Sequence, residues 1–297
     1  MSLPRILVTG KNGQVGFELQ HSLSPLGEVI AVDIEDCDLK NTSAIVDLVE
    51  RVKPSLIVNP AAYTAVDQAE SDLEGAYAIN AIAPKVLAAQ ANLRHIPMIH
   101  YSTDYIFDGT KEGCYLEDDP ANPQSKYGKT KWQGEKNVRA MCPQHVIIRT
   151  SWVFGAHGGN FLKTILQLSQ ERDKLKIIAD QFGAPTSAKR LADNSALIAM
   201  RLLNGEVRKF GTYHLVASGE TSWHGYATYV LAFANKLGLK TRLSVTDIQP
   251  IPSEAYPLPA SRPKNSRLST QKIQNTFGIE LPPWTVDVER VLQQLLH

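Results

Sequence analysis

The 297 residues are 43% apolar and 21% charged, and 31 Lys and Arg almost balance 30 Asp and Glu, for a formal charge of +1. That composition belongs to a globular chain with a full core, and it excludes a protein whose overall field gathers nucleic acid or an anionic membrane. No run reaches the roughly 18 uninterrupted apolar residues that cross a bilayer, since the apolar stretch 76–91 contains Asn80, Pro84, Lys85 and Gln90.

Short apolar, largely β-branched runs at 6–9, 29–32, 56–59, 98–101 and 146–148 predict buried parallel strands. Helical spacing at 14–24, 43–52, 72–92 and 126–141 supplies a crossover between each pair. From residue 151 the pattern loosens into helices at 161–171 and 191–203, shorter strands and Pro-rich connections. The expected fold is therefore a doubly wound parallel α/β sheet over residues 1–150. A smaller C-terminal α/β lobe over 151–297 is interwoven with it, and a ligand cleft lies between the two. Met1 to Arg5 lead straight into the first strand without the pattern of a signal peptide. Cys37, Cys114 and Cys142 form no paired framework, so a reducing cytoplasm is the expected setting.

The first strand runs into Gly10-Lys11-Asn12-Gly13-Gln14-Val15-Gly16 and then an amphipathic helix. Glycines allow a tight turn and close backbone approach, and the helix start turns free N–H groups toward a pyrophosphate, which makes this a dinucleotide turn of Rossmann type. Asp33 closes the second strand 20 residues after Gly13, where a carboxylate takes up an adenosine ribose; Asp38 and Leu39 are further candidates for the cofactor. No Arg follows Asp33 to receive a 2′-phosphate, so NADH is expected, with NADPH tolerated. Ala61, Ala62 and Tyr63, after the third strand, either pack against the cofactor or pack against a neighbouring helix. Histidines do not cluster with carboxylates or cysteines at metal spacing, so no metal is expected at the site.

The fourth strand ends Tyr101-Ser102-Thr103-Asp104-Tyr105, and Tyr127 and Lys131 follow four residues apart. On a helix these two share a face, where an ammonium draws a phenol's pKa toward neutrality. The succession of glycine turn, acidic second strand, hydroxyl-bearing fourth strand and Tyr-x-x-x-Lys resembles the extended short-chain dehydrogenase/reductase superfamily.

Narrower strings resemble the dTDP-4-dehydrorhamnose reductases: the glycine turn, Thr64 to Glu70, Tyr101 to Phe107, Arg149 to Phe154, Asp180 to Thr186 and Ser261 to Leu268. The resemblance implies NADH- or NADPH-dependent reduction of the C4 ketone of dTDP-4-dehydro-6-deoxy-L-mannose, a step toward polysaccharide. It implies Tyr127 as proton donor, Lys131 on the nicotinamide ribose with Tyr101 nearby, and Thr103 on the same substrate oxygen. Asp104 and Trp152 would contact the sugar, while Asn160, Lys163 and Arg262 would face the pyrophosphate. Tyr105 stands where related dehydratases carry Glu, which disfavours elimination of water. Some family members bridge a homodimer with Mg2+ through acidic residues, Glu18 by position and a carboxylate near the start of the helix after Pro185. Here Lys189 and Arg190 occupy that second stretch, which argues against the metal and leaves the dimer open. Reduction of another dTDP-4-keto-6-deoxysugar, and a non-catalytic regulatory subunit resembling that of methionine adenosyltransferase, remain as alternatives.

Overall fold

A computed structural model describes residues 3–206 and 208–296. Its centre is a six-stranded parallel sheet built from β1 (Arg5–Thr9), β2 (Glu28–Val32), β3 (Leu56–Asn59), β4 (Met98–Thr103), β5 (His145–Thr150) and a late strand, β10 (Gly211–His214). The spatial order is β10-β5-β4-β3-β1-β2. The chain leaves β1 toward one edge and returns through β3 toward the other, so the switch point lies between these two strands, where such sheets bind ligands at their carboxyl ends.

Alternating side chains explain why both faces are covered. Ile6 and Val8 of β1 face one way, into a core shared with Leu19 and Leu23 of α1 (Gln14–Leu23) and Leu191 and Ile198 of α7 (Ala188–Leu203). Leu7 faces the other way, toward α2 (Thr42–Val52), α4 (Ala83–Leu93) and α5 (Lys126–Met141). The inner strands are buried on both faces, and β2 at the edge is only partly covered. Between α3 (Leu73–Tyr77) and α4 the helix widens into a π turn over Ala78–Ile82, where one unbroken helix was expected.

Beyond β5 the chain forms β6 (Val153–Phe154), α6 (Phe161–Glu171), β7 (Leu175–Ile178), β8 (Phe182–Gly183) and β9 (Thr186–Ser187). After α7 and β10 come β11 (Thr221–Ser222), α8 (Trp223–Lys236), β12 (Ile248–Ile251), α9 (Gln271–Phe277) and α10 (Trp284–Leu296). Leu162, Ile165, Tyr226, Val230, Trp284 and Val288 join α6, α8 and α10 in a separate core. The later half thus has its own packing, yet it also returns α7 and β10 to the first sheet. Among the described residues no helix is long and apolar enough to cross a membrane.

Candidate active site

A cavity of about 790 Å³ opens along the carboxyl ends of the strands. Its first wall is the glycine turn. A Cβ on Gly16 would lie 1.9 Å from the carbonyl oxygen of Gly10, so only glycine lets helix α1 begin this close to the turn. Gly10, Asn12, Gly13, Gln14, Val15 and Gly16 all line the cavity, as do Asp33, Asp38, Leu39, Ala61 and Ala62. Asp33 caps the turn by accepting from the Asn12 backbone N–H at 2.9 Å and the Ile34 N–H at 2.8 Å. Tyr63 does not line the cavity; Asn80 ties down its backbone on both sides, at 2.9 and 3.2 Å.

The second wall is carried by β4 and α5. Ser125 caps α5 by accepting from the Gly128 N–H at 3.1 Å. A Cβ on Gly128 would lie 2.2 Å from the Tyr105 carbonyl oxygen, so the glycine brings the helix against the end of β4. Tyr127 and Lys131 then stand in the cavity with Tyr101, Thr103 and Asp104, and Tyr105 meets the Tyr127 ring edge-on with centroids 5.4 Å apart.

The electrostatics differ from the sequence expectation. Lys131 is buried, and its Nζ donates to the Tyr101 carbonyl oxygen at 2.7 Å. Burial pulls the ammonium down to about 8, with Glu135 opposing. The Tyr127 phenol is not drawn toward neutrality: burial first, and the nearby Asp104 charge second, push it well above its ordinary value, while Thr103 opposes them. Spacing placed the two groups on one helix face but not inside a water-poor pocket, where desolvation disfavours the phenolate. Asp104 is itself raised to about 6 by burial, against hydrogen bonds from Ser266 and Thr103.

Trp152 also lines the cavity, in a left-handed conformation at φ 50°, and stacks on Trp223 at 3.7 Å between centroids. Three residues expected at a pyrophosphate are engaged elsewhere. Asn160 caps α6 and donates to Gln14 Oε1 at 3.0 Å and the Gly155 carbonyl at 2.8 Å. Lys163 Nζ donates to the carbonyls of Ala156 and Gly158 at 3.1 and 2.8 Å. Arg262 is paired with Asp67 through two nitrogens at 3.0 and 2.7 Å. None of the three lines the cavity. In the stretch weighed for magnesium, Lys189 pairs with Asp193 and Arg190 with Asp287.

Sequence reasoning missed Ser102, Thr150 and Ser151. All three line the cavity, and their buried hydroxyls have no hydrogen-bond partner among the described residues. Their signal was small hydroxyl residues at the carboxyl ends of β4 and β5. Buried hydroxyls of this kind are costly unless something answers them, which fits a polar ligand in the cavity.

Residues 4–297 match the family model described as RmlD substrate binding domain. The chain belongs to this family. It is 47% identical over 294 residues to the dTDP-4-dehydrorhamnose reductase of Salmonella typhimurium, covering 98% of this chain and 97% of that one. Among solved structures it is similar to a dTDP-4-dehydrorhamnose reductase from Clostridium acetobutylicum, with a TM-score of 0.89, 36% identity, and 99% and 100% of the two chains covered. It is likewise similar to the Bacillus anthracis dTDP-4-dehydrorhamnose reductase in complex with NADP, with a TM-score of 0.88, 32% identity, and 99% and 100% covered. This family membership agrees with the strand order, the glycine turn and the Tyr127, Lys131 and Thr103 group.

Proposed function

We propose that the chain catalyses the NAD(P)H-dependent reduction of the C4 ketone of dTDP-4-dehydro-L-rhamnose to dTDP-L-rhamnose. The observation that carries this reading is one continuous cavity lined at once by the glycine turn, by Asp33 and by Tyr127, Lys131 and Thr103. The Gly16 cradle and the unanswered Ser102, Thr150 and Ser151 hydroxyls fit a dinucleotide with a polar head.

When bound, the cofactor supplies the hydride. The protein's own work is to hold the ketone and deliver a proton to its oxygen. Tyr127, kept neutral by burial, is in the protonation state a donor needs, and transfer to an oxygen gaining negative charge leaves a phenolate. Lys131 lies one helical turn on; its charge stabilises that phenolate, and its remaining donors suit a ribose hydroxyl. The Thr103 hydroxyl would share the substrate oxygen, and Asp104 and Trp152 would flank the sugar. Asp33 would accept from the adenosine ribose. Residues beyond 150 are read as mainly the sugar-nucleotide lobe. The free thiols Cys37, Cys114 and Cys142 and the need for NAD(P)H support a cytoplasmic setting, and a homodimer without bridging Mg2+ completes the reading.

The test is NADH consumption with dTDP-4-dehydro-L-rhamnose by wild type and by Tyr127→Phe. The substitution keeps the ring and removes the proton, so kcat falls by about 10² to 10⁴ while dTDP still binds. Near-wild-type turnover would assign the proton to another group. Thr103→Ala costs less, since it removes one hydrogen bond and leaves the acid in place.

A further inference from the structure

Four charged side chains meet where β2 ends beside the glycine turn. The Lys11 backbone N–H is anchored on the Val32 carbonyl at 3.1 Å. Its Nζ is shared between Asp36 Oδ2 at 2.5 Å and Glu35 Oε1 at 3.2 Å, and its side chain is only 25% exposed. Asp36 Oδ2 also accepts from the Asp33 backbone N–H at 3.0 Å, and Glu35 accepts from the Asn12 side-chain amide at 3.1 Å. One ammonium therefore faces two carboxylates beside the place where Asp33 would receive an adenosine ribose.

A plain 2′-hydroxyl suits this corner, because it donates to Asp33. A 2′-phosphate brings close to two further negative charges and finds the single cation already held. We propose that Lys11 is the ligand of a 2′-phosphate, that Glu35 and Asp36 keep it in reserve, and that this competition sets the choice between NADH and NADPH. The inference rests on the reading that the cavity takes a nicotinamide dinucleotide. The ion pairs face solvent, where charges are screened and partners exchange at little cost, so the two acids bias the choice without barring NADPH. Both acids lie below the ordinary carboxylate range, and Lys11 above the ordinary lysine value, chiefly through their mutual hydrogen bonds for Lys11 and Asp36.

Direct binding separates this corner from catalysis. The probes are 5′-AMP and adenosine 2′,5′-bisphosphate, titrated calorimetrically into the full chain. Glu35→Gln with Asp36→Asn keeps acceptors for the Asn12 amide and the Asp33 N–H while releasing Lys11. That double variant is expected to bind the bisphosphate about tenfold more tightly and AMP within about twofold of wild type. Lys11→Met is expected to weaken the bisphosphate about tenfold and leave AMP alone. In the triple variant the gain is expected to disappear. If it persists without Lys11, relief of repulsion alone explains it and the reserve role is overturned. A ratio of the two dissociation constants that stays fixed through all variants also overturns the proposal. Failure of both probes to bind wild type would instead overturn the dinucleotide reading on which it rests.

Discussion

At Lys131 the same burial that serves the site sets a pH limit on it. Its ammonium sits at about 8, well below the ordinary lysine value, because desolvation outweighs the pull of Glu135. If its charge is needed in the free enzyme, kcat/KM falls on an alkaline limb near pH 8, and Lys131→Met is slow at every pH with that limb gone. Stability moves the other way. Between about pH 8 and 10 the unfolded chain holds this proton and the folded one does not, so the contribution of Lys131 to stability rises across that window. Thermal melts of wild type against Lys131→Met separate the two effects, and a wild-type deficit that fails to shrink from pH 8 to pH 10 would refute the buried ammonium. That Tyr127, Lys131 and Thr103 would come together in one cavity was legible from strand order and a four-residue spacing. Their protonation was not, because spacing is a property of one helix and desolvation a property of everything packed around it. Arg262 shows the same limit: a basic residue suits a pyrophosphate in sequence, whereas in the fold Asp67 reaches it first.

Elements were easiest to read where one period ran unbroken. The expected helices at 126–141 and 161–171 coincide with α5 and α6, whereas the expected helix at 72–92 is broken by the π turn at Ala78–Ile82. Asn80 lies inside that break, and Pro84 just beyond it has no N–H to give the Asn80 carbonyl. Fully buried within the turn, Asn80 bonds the Tyr63 backbone and donates to Thr130 Oγ1 at 3.1 Å, so one polar side chain bridges the β3 loop, the turn and α5. An apolar period cannot register a residue whose partners are 17 and 50 positions away. The same α5 is pinned to β5 by an ion pair of equal depth: Arg149 reaches both Glu135 oxygens at 2.9 Å, with both side chains at or below 2% exposure. Removing one partner of such a pair strands a buried charge, at about 3–5 kcal/mol. Arg149→Met should lower the urea midpoint accordingly. Adding Glu135→Gln should recover part of the loss, because the stranded carboxylate is then neutral. A single variant costing under about 1 kcal/mol would mean that Arg139, the other partner of Glu135, already suffices.

On the scale of the whole molecule, the cavity depends on a chain that crosses itself. Thr150, Ser151, Trp152, Gly158 and Gly159 line it from beyond or at the end of β5, with Gly158 close against Gln14 of the glycine turn, while β10 closes the sheet edge beside β5. The return of β10 was not legible, since four residues reading Gly-Thr-Tyr-His carry neither a helical nor a strand period. A ligand seated across such a crossing should stabilise the entire fold, because every element that forms its wall must be folded for it to bind. With dTDP and no cofactor, stabilisation should grow as RT ln(1 + [L]/Kd), reaching about 2.7 kcal/mol at a hundredfold excess over Kd. For a chain of this size that raises Tm by roughly 4 °C. Free rhamnose, which lacks the nucleoside diphosphate, should leave Tm unchanged. Differential scanning calorimetry over a dTDP series decides the matter: a flat response, or an equal one to rhamnose, would remove the nucleotide from the proposed substrate.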